Sequence, residues 1–328
     1  MRVMVLVPVF LLIGMLIPAA TAGSGNIPLV VTTIGPLASI VEDAFGGAVK
    51  VVYIIPPGAD PHEYQLSADQ IELLRRADVV VTTGGHLPIE KKIAELADEG
   101  TLRGQVLFIN DYKAQGFRYL PETWYHGKDN PHGVWLDPYN AISIAAATEG
   151  ALEKADPSRK EVYQRDFQMF KEKVMEVVKA YRAMVEENKT AIIQMPPDEY
   201  AVYWLGVNVV AAIKPEEEAP AIGVDSLLPE TGGVDLIIYG KNSPGQLKKA
   251  AEELSAKSGK PTAEITVFWA NETYTDVLIE NTAAVLKALG GRPQVKLVHS
   301  NGNLTEYVVL SLLVGVMLGT AIGVILKK

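Results

Sequence analysis

Five histidines, His62, His86, His126, His132 and His299, and no cysteine set the chemistry open to this chain. Imidazole nitrogen is a good ligand for zinc, manganese and other divalent transition ions, and ligands from separate loops can converge on one ion. His62 lies in Pro57-Gly58-Ala59-Asp60-Pro61-His62-Glu63-Tyr64, and His86 in Gly84-Gly85-His86-Leu87-Pro88. His126 and His132 are six apart in a polar, aromatic stretch. Glycines and prolines beside them restrict the backbone, although a lone histidine serves equally well as a loop residue with a backbone hydrogen bond.

Other chemistries lack their residues. There is no Gly-x-Ser-x-Gly elbow, no dinucleotide or phosphate loop and no His-Glu-x-x-His pair, so no nucleophilic triad or metalloprotease helix is visible. Acidic residues around Glu216 and Glu218 read as a solvated turn. A formal net charge of -9 without a basic cluster excludes a nucleic-acid partner. Hydrophobic residues make up 48% of the 328 and charged residues 21%, ample for two cores.

The elements that must position the histidines follow from the pattern of apolar residues. Short runs rich in Val and Ile, at 29–33, 49–55, 78–82 and 106–109, alternate with helical segments at 68–76 and 89–99. That alternation predicts a parallel sheet covered on both faces, within a lobe over residues 27–150. Residues 111–138 read as one long loop, and 141–152 as helix. Asp156 then offers an N-cap and Pro157 suits the first helical position. Tyr163, Phe167, Phe170, Val174, Val177, Tyr181 and Met184 recur at steps of three and four, predicting a linking helix over 156–187. The alternation resumes with strands at 190–193, 207–212, 234–239 and 264–268 and helices at 246–257 and 275–289, giving a second lobe over 189–298. The expected fold class is α/β: two similar lobes with parallel-rich sheets, joined by one long backbone helix, with a cleft between them.

The termini read differently. Residues 3–17 are almost unbroken apolar sequence before Ala20-Thr21-Ala22, so 1–22 is expected to be a signal peptide. Residues 308–326 carry no charge and precede Lys327 and Lys328, so they are expected to form a C-terminal transmembrane helix. Together they place a monomer on the extracellular side of the cell membrane after signal-peptide cleavage, tethered by its tail.

Around its histidines the chain resembles the solute-binding proteins of metal-ion ABC importers, which capture zinc or manganese outside the membrane. The segment from Pro57 to Tyr64 carries the most specific likeness. Ala77-Asp78-Val79-Val80-Val81 with Gly85 and Glu90 is similar to the next block, and Pro131-His132-Gly133-Val134-Trp135-Leu136-Asp137-Pro138 to the second histidine block, with Gly133 as an extra residue. The resemblance covers residues 27–290. It implies His62 and His132 as ligands of a divalent metal ion, Asp60 as a residue that holds a ring N–H or orients its loop, and a membrane permease as partner.

In the second lobe the chain departs from that pattern. Met195 stands where a third ligand is expected, with Asp198 and Glu199 as nearby carboxylate substitutes, and Trp269 stands at the fourth, with Asn271 and Glu272 beyond it. His86 and His126 are further candidates. The expected function is a non-enzymatic receptor that delivers zinc or manganese to an ABC importer. The alternative is a cell-surface adhesion protein that keeps the scaffold with altered metal binding, using Tyr119, Trp124 and Tyr125 as a contact surface. An extracellular metal hydrolase lacks a base.

Overall fold

The computed structural model describes residues 27–216 and 219–291. The first lobe opens with β1 (Leu29–Thr32), α1 (Gly35–Phe45), β2 (Lys50–Tyr53), α2 (Ala68–Arg76), β3 (Val79–Val81), α3 (Pro88–Asp98) and β4 (Gln105–Leu107). Val30 and Val31 of β1 and all of β3 are buried, which is why these short strands are continuous apolar runs and not alternating ones. Every pairing is parallel, in the order β2-β1-β3-β4. Because β1 lies between β2 and β3, the loops leaving those two strands flank its carboxyl end. Open α/β sheets bind ligands at such a switch point.

The stretch expected to be one loop has structure of its own. It holds α4 (Ile109–Lys113), a two-stranded antiparallel ribbon of β5 (Leu120–Pro121) and β6 (Asp129–Asn130), and a 3-10 turn at Val134–Leu136. Then comes α5 (Pro138–Ala155), capped by Asp137, whose carboxylate accepts the Tyr139 and Asn140 amides.

Asp156 caps as expected, accepting from the Ser158 amide, but the turn it begins, Pro157–Arg159, is 3-10. The linking helix α6 therefore runs only from Lys160 to Arg182, about 35 Å at 1.5 Å per residue. Asn188, at φ 64°, turns the chain beyond it. Tyr163, Phe170, Val174, Val178 and Tyr181 form the buried stripe of α6, which packs against α1 and α5.

The second lobe repeats the plan with β7 (Lys189–Ile193), α7 (Asp198–Val202), β8 (Val207–Ala212), α8 (Val224–Leu227), β9 (Leu236–Gly240), α9 (Gly245–Ser258), β10 (Thr262–Ile265) and α10 (Tyr274–Ala288). Its strands are also all parallel, ordered β10-β9-β7-β8, the same topology as the first sheet. The larger apolar cluster is continuous from Val30 through Phe170 and Tyr200 to Leu286, so the lobes share a core where two were expected. A smaller cluster around Ile192, Ile237 and Leu254 fills the space under α8 and α9.

The transmembrane expectation is corrected. Among the described residues no helix is long and apolar enough to cross a membrane. The longest, α6, carries charges along its exposed face, from Lys160 and Glu161 to Lys179 and Arg182. Residues 308–326, like the leader at 1–22 and His299, lie outside the described residues. The fold class is accordingly two α/β lobes and a linking helix. The anchor, and the membrane-tethered location that rested on it, are not retained.

The extra residue Gly133 fixes how the lobes meet. Its φ is +76°, and a Cβ there would lie 2.5 Å from Cα and 2.7 Å from the carbonyl oxygen of Pro197, at the start of α7. Backbone cannot yield as a flexible side chain does, and the left-handed conformation adds its own cost. Gly133→Ala is expected to lower unfolding free energy by about 2–4 kcal/mol, measured by denaturant titration.

Candidate metal centre

Three histidines meet at the carboxyl edge of the first sheet. His62 is carried by the loop after β2, His86 by the loop after β3, and His132 by the segment between β6 and α5. One ligand atom from each lies within 4.8 Å of the other two, and all three side chains are half-buried. Ring centroids are 5.8 Å apart for His62 and His86, 5.7 Å for His62 and His132, and 5.3 Å for His86 and His132. Nitrogens bound to one zinc ion at about 2.0–2.1 Å in tetrahedral geometry would stand about 3.3 Å apart, so ring movements of about an ångström would close the set.

Local structure explains each placement. The Asp60 carboxylate accepts the backbone N–H of His62 at 2.8 Å, fixing its loop. Gly84 and Gly85, with φ of 120° and 101°, let the chain double back after β3, and the Thr83 hydroxyl lies 3.0 Å from Nδ1 of His86. Asn130 Oδ1 accepts the backbone N–H of His132 at 3.0 Å.

The acidic candidates go elsewhere. Glu199 is buried, with one carboxylate oxygen accepting from Trp124 Nε1 and the other from Asn130 Nδ2, both at 3.0 Å. Asp198 is also buried and accepts the backbone N–H groups of Gln194 and Met195 at 3.1 and 3.2 Å, so it closes its own loop. Neither is in the histidine group. His126 is exposed, its ring centroid 4.0 Å from that of Tyr125, and it too stands outside the group.

Met195 packs beside the smaller apolar cluster of the second lobe. Trp269 is buried, with its ring centroid 6.4 Å from that of Tyr274, and it helps line a cavity of only about 10 Å³. The aromatic stretch is engaged within the fold: Tyr119 packs edge-on to Phe117 at 5.4 Å, and Trp124 is held by Glu199. Among the described residues, then, the second lobe adds no histidine or carboxylate to the group. The sequence gives His86 less support than His62 and His132, yet the three are equivalent in space. The Gly84-Gly85 pair was the signal for it.

Burial dominates the electrostatics of the supporting acids. It raises Asp198 to about 7 against the pull of its two backbone donors, and Asp137 to about 6. Glu122 is raised to about 7 by burial and then by the neighbouring Glu199 and Glu216 carboxylates.

Residues 30–288 match the family model described as ZnuA, zinc-uptake complex component A, periplasmic, and the chain belongs to that family. Its members are solute-binding components and not enzymes. The chain is 29% identical over 172 residues to the metal ABC transporter substrate-binding lipoprotein SloC of Streptococcus mutans, covering 50% of this chain and 55% of SloC. It is 23% identical over 280 residues to the zinc-binding lipoprotein AdcA of Streptococcus pneumoniae, covering 78% of this chain and 54% of AdcA. The chain thus spans about half the length of these curated relatives. The structure of a Mn-bound periplasmic metal binding protein from Candidatus Liberibacter asiaticus superposes with TM-score 0.66 at 16% identity, over 80% of this chain and 99% of that one, which shows a common fold.

A carboxyl group whose folded pKa is raised contributes stability that is present below its unfolded value and lost as pH rises through the folded one. For Asp198 that window runs from the ordinary 3.8 to about 7. Asp198→Asn does not titrate. Between pH 5 and 8 the variant is expected to gain about 2–3 kcal/mol relative to the parent, read from paired denaturant melts.

Proposed function

We propose that this chain is a metal-ion receptor that captures one divalent cation, zinc in preference to manganese, for delivery to an ABC-type importer. The convergence of His62, His86 and His132 carries this reading. Nothing covalent happens to the cargo: neutral imidazoles donate lone pairs, so binding weakens at low pH as protons compete for the ring nitrogens. The donor set argues for the ion. Imidazole suits zinc, copper and nickel, whereas manganese favours carboxylate oxygen, and among the described residues no carboxylate joins the group.

The names of the relatives support the same reading, one as a substrate-binding lipoprotein of a metal ABC transporter and the other as zinc-binding. Capture from the first lobe alone differs from a clamp closed between two lobes. Release then requires movement of loops that carry the histidines, and the loop of His132 is the one tied to the second lobe.

Metal content and titration calorimetry on the full chain, offered zinc, manganese, copper and nickel separately, test the reading. One zinc per chain is expected, lost when His62 and His132 are both replaced by alanine. His86→Ala is expected to weaken zinc by more than about 100-fold, beyond the loss typical of a supporting partner. Glu199→Gln should leave zinc affinity within a few-fold. Manganese binding tighter than zinc would sink the ion assignment, and no ion bound more tightly than about 1 mM would sink the receptor.

A further inference from the structure

Glu90, at the start of α3, is fully enclosed at 0% exposure, and five donors converge on it. Oε1 accepts from the Thr83 amide at 2.6 Å and the Thr33 hydroxyl at 2.7 Å. Oε2 accepts from the Thr83 hydroxyl at 2.8 Å and from the Gly85 and Leu87 amides at 2.9 and 3.4 Å. The loop over residues 83–87 is therefore wrapped around this side chain, and the left-handed Gly84 and Gly85 are what let it wrap. Burial pushes the Glu90 carboxyl above its ordinary value, and the donors from Thr83, Thr33 and Gly85 pull it back.

Capping the start of α3 does not require this arrangement. For that it is enough that the Glu90 carboxylate accepts the Leu87 amide, and the other four donors go beyond a cap. The Thr83 hydroxyl adds a second connection, because its oxygen is also 3.0 Å from Nδ1 of His86. Proton counting then decides the imidazole tautomer. A hydroxyl has one proton, and an ionised Glu90 Oε2 can only accept it, so toward His86 the Thr83 oxygen is left to accept. Nδ1 must carry the proton, leaving the lone pair on Nε2.

We propose that Glu90, acting through Thr83, is a positioning residue that locks His86 with its proton on Nδ1 and presents Nε2 as the metal-binding atom. The proposal rests on the reading of His86 as a ligand, and extends it to a hydroxyl and a carboxylate that never touch the ion. A carboxylate or carbonyl behind a ligating imidazole fixes ring orientation and raises the basicity of the ligating nitrogen. Here an intervening hydroxyl relays that effect, and the chain reaches from the ion's side of His86 to the buried start of α3.

Imidazole ¹⁵N spectra of the full metal-free chain, labelled at its five histidines, read the tautomer directly. Loss of a resonance in His86→Gln assigns His86. In the parent, His86 is expected as the Nδ1–H form. Thr83→Val, close in shape but without the hydroxyl, is expected to release it to a mixture of tautomers and to lower zinc affinity about 10–100-fold. Thr83→Ser should restore both. Glu90→Gln replaces one of the two acceptor oxygens that hold the Thr83 amide and hydroxyl, and is expected to move His86 away from the pure Nδ1–H form. If Glu90→Gln does not fold, the Thr83 variants still decide. An unchanged Nδ1–H form in Thr83→Val, with zinc affinity within about twofold of the parent, overturns the proposal. A parent chain that binds no zinc defeats the receptor reading, and the metal-free spectra still report whether the relay sets the ring.

Discussion

The buried side chain of Asn130 joins the lobes at the point where His132 is presented. Its amide nitrogen donates to the Pro196 carbonyl and to Glu199, its amide oxygen accepts the His132 N–H, and its backbone carbonyl accepts the Tyr200 hydroxyl. Tyr200 in turn accepts the Leu120 amide, so the β5–β6 ribbon and the first loop of the second lobe form one hydrogen-bonded unit. Groups this deeply buried are costly when left unpaired, about 1–3 kcal/mol each. Truncating Glu199 would strand Trp124 Nε1 and leave Asn130 Nδ2 with the Pro196 carbonyl alone. The carboxylate that spacing suggests as a ligand is held in the frame that presents His132.

That frame explains why two lobes of the same topology differ in chemistry. In the first, the loops after β2 and β3 carry His62 and His86 on either side of the carboxyl end of β1. In the second, the loop after β7 turns back on itself through Asp198, and the segment after β10 buries Trp269, whose carbonyl oxygen would lie 2.2 Å from a Cβ on Gly35. Close packing of Gly35 and Gly133 against backbone of the opposite lobe gives the two sheets a common core. The second lobe holds His132 in place and adds no side chain to the histidine group among the described residues.

Much of this was legible in the residues. Val-rich runs marked the strands because a parallel sheet buries both faces, and the helix expected at 68–76 is α2 to the residue, its start held in the structure by the Ser67–Gln70 capping box. His62 and His132 stood out because proline and glycine flank them. What stayed hidden depends on partners far away in sequence. Asp198 and Glu199 follow two prolines and look like exposed loop acids, and nothing local shows that Trp124 and Asn130, some seventy residues earlier, will enclose Glu199. The β5–β6 ribbon is too short, and too broken by Pro121, to leave a periodic signal. The 3-10 turn after Asp156 shortened α6 because a proline-led start can close i to i+3 before the helix proper begins.

The charge arrangement at the histidines follows from the same economy of contacts. Three imidazoles bring no formal charge to a dication, and a coordinating carboxylate would bring one at the cost of drawing the site toward harder ions. Glu90 places a carboxyl group behind His86 without offering it as a ligand oxygen, since Thr83 stands between it and His86 and its own oxygens are occupied by five donors. Nitrogen-only coordination and a nearby buried carboxylate are therefore compatible. On the proposed reading, the first favours zinc over manganese, and the second would make the imidazole a better donor than an isolated one.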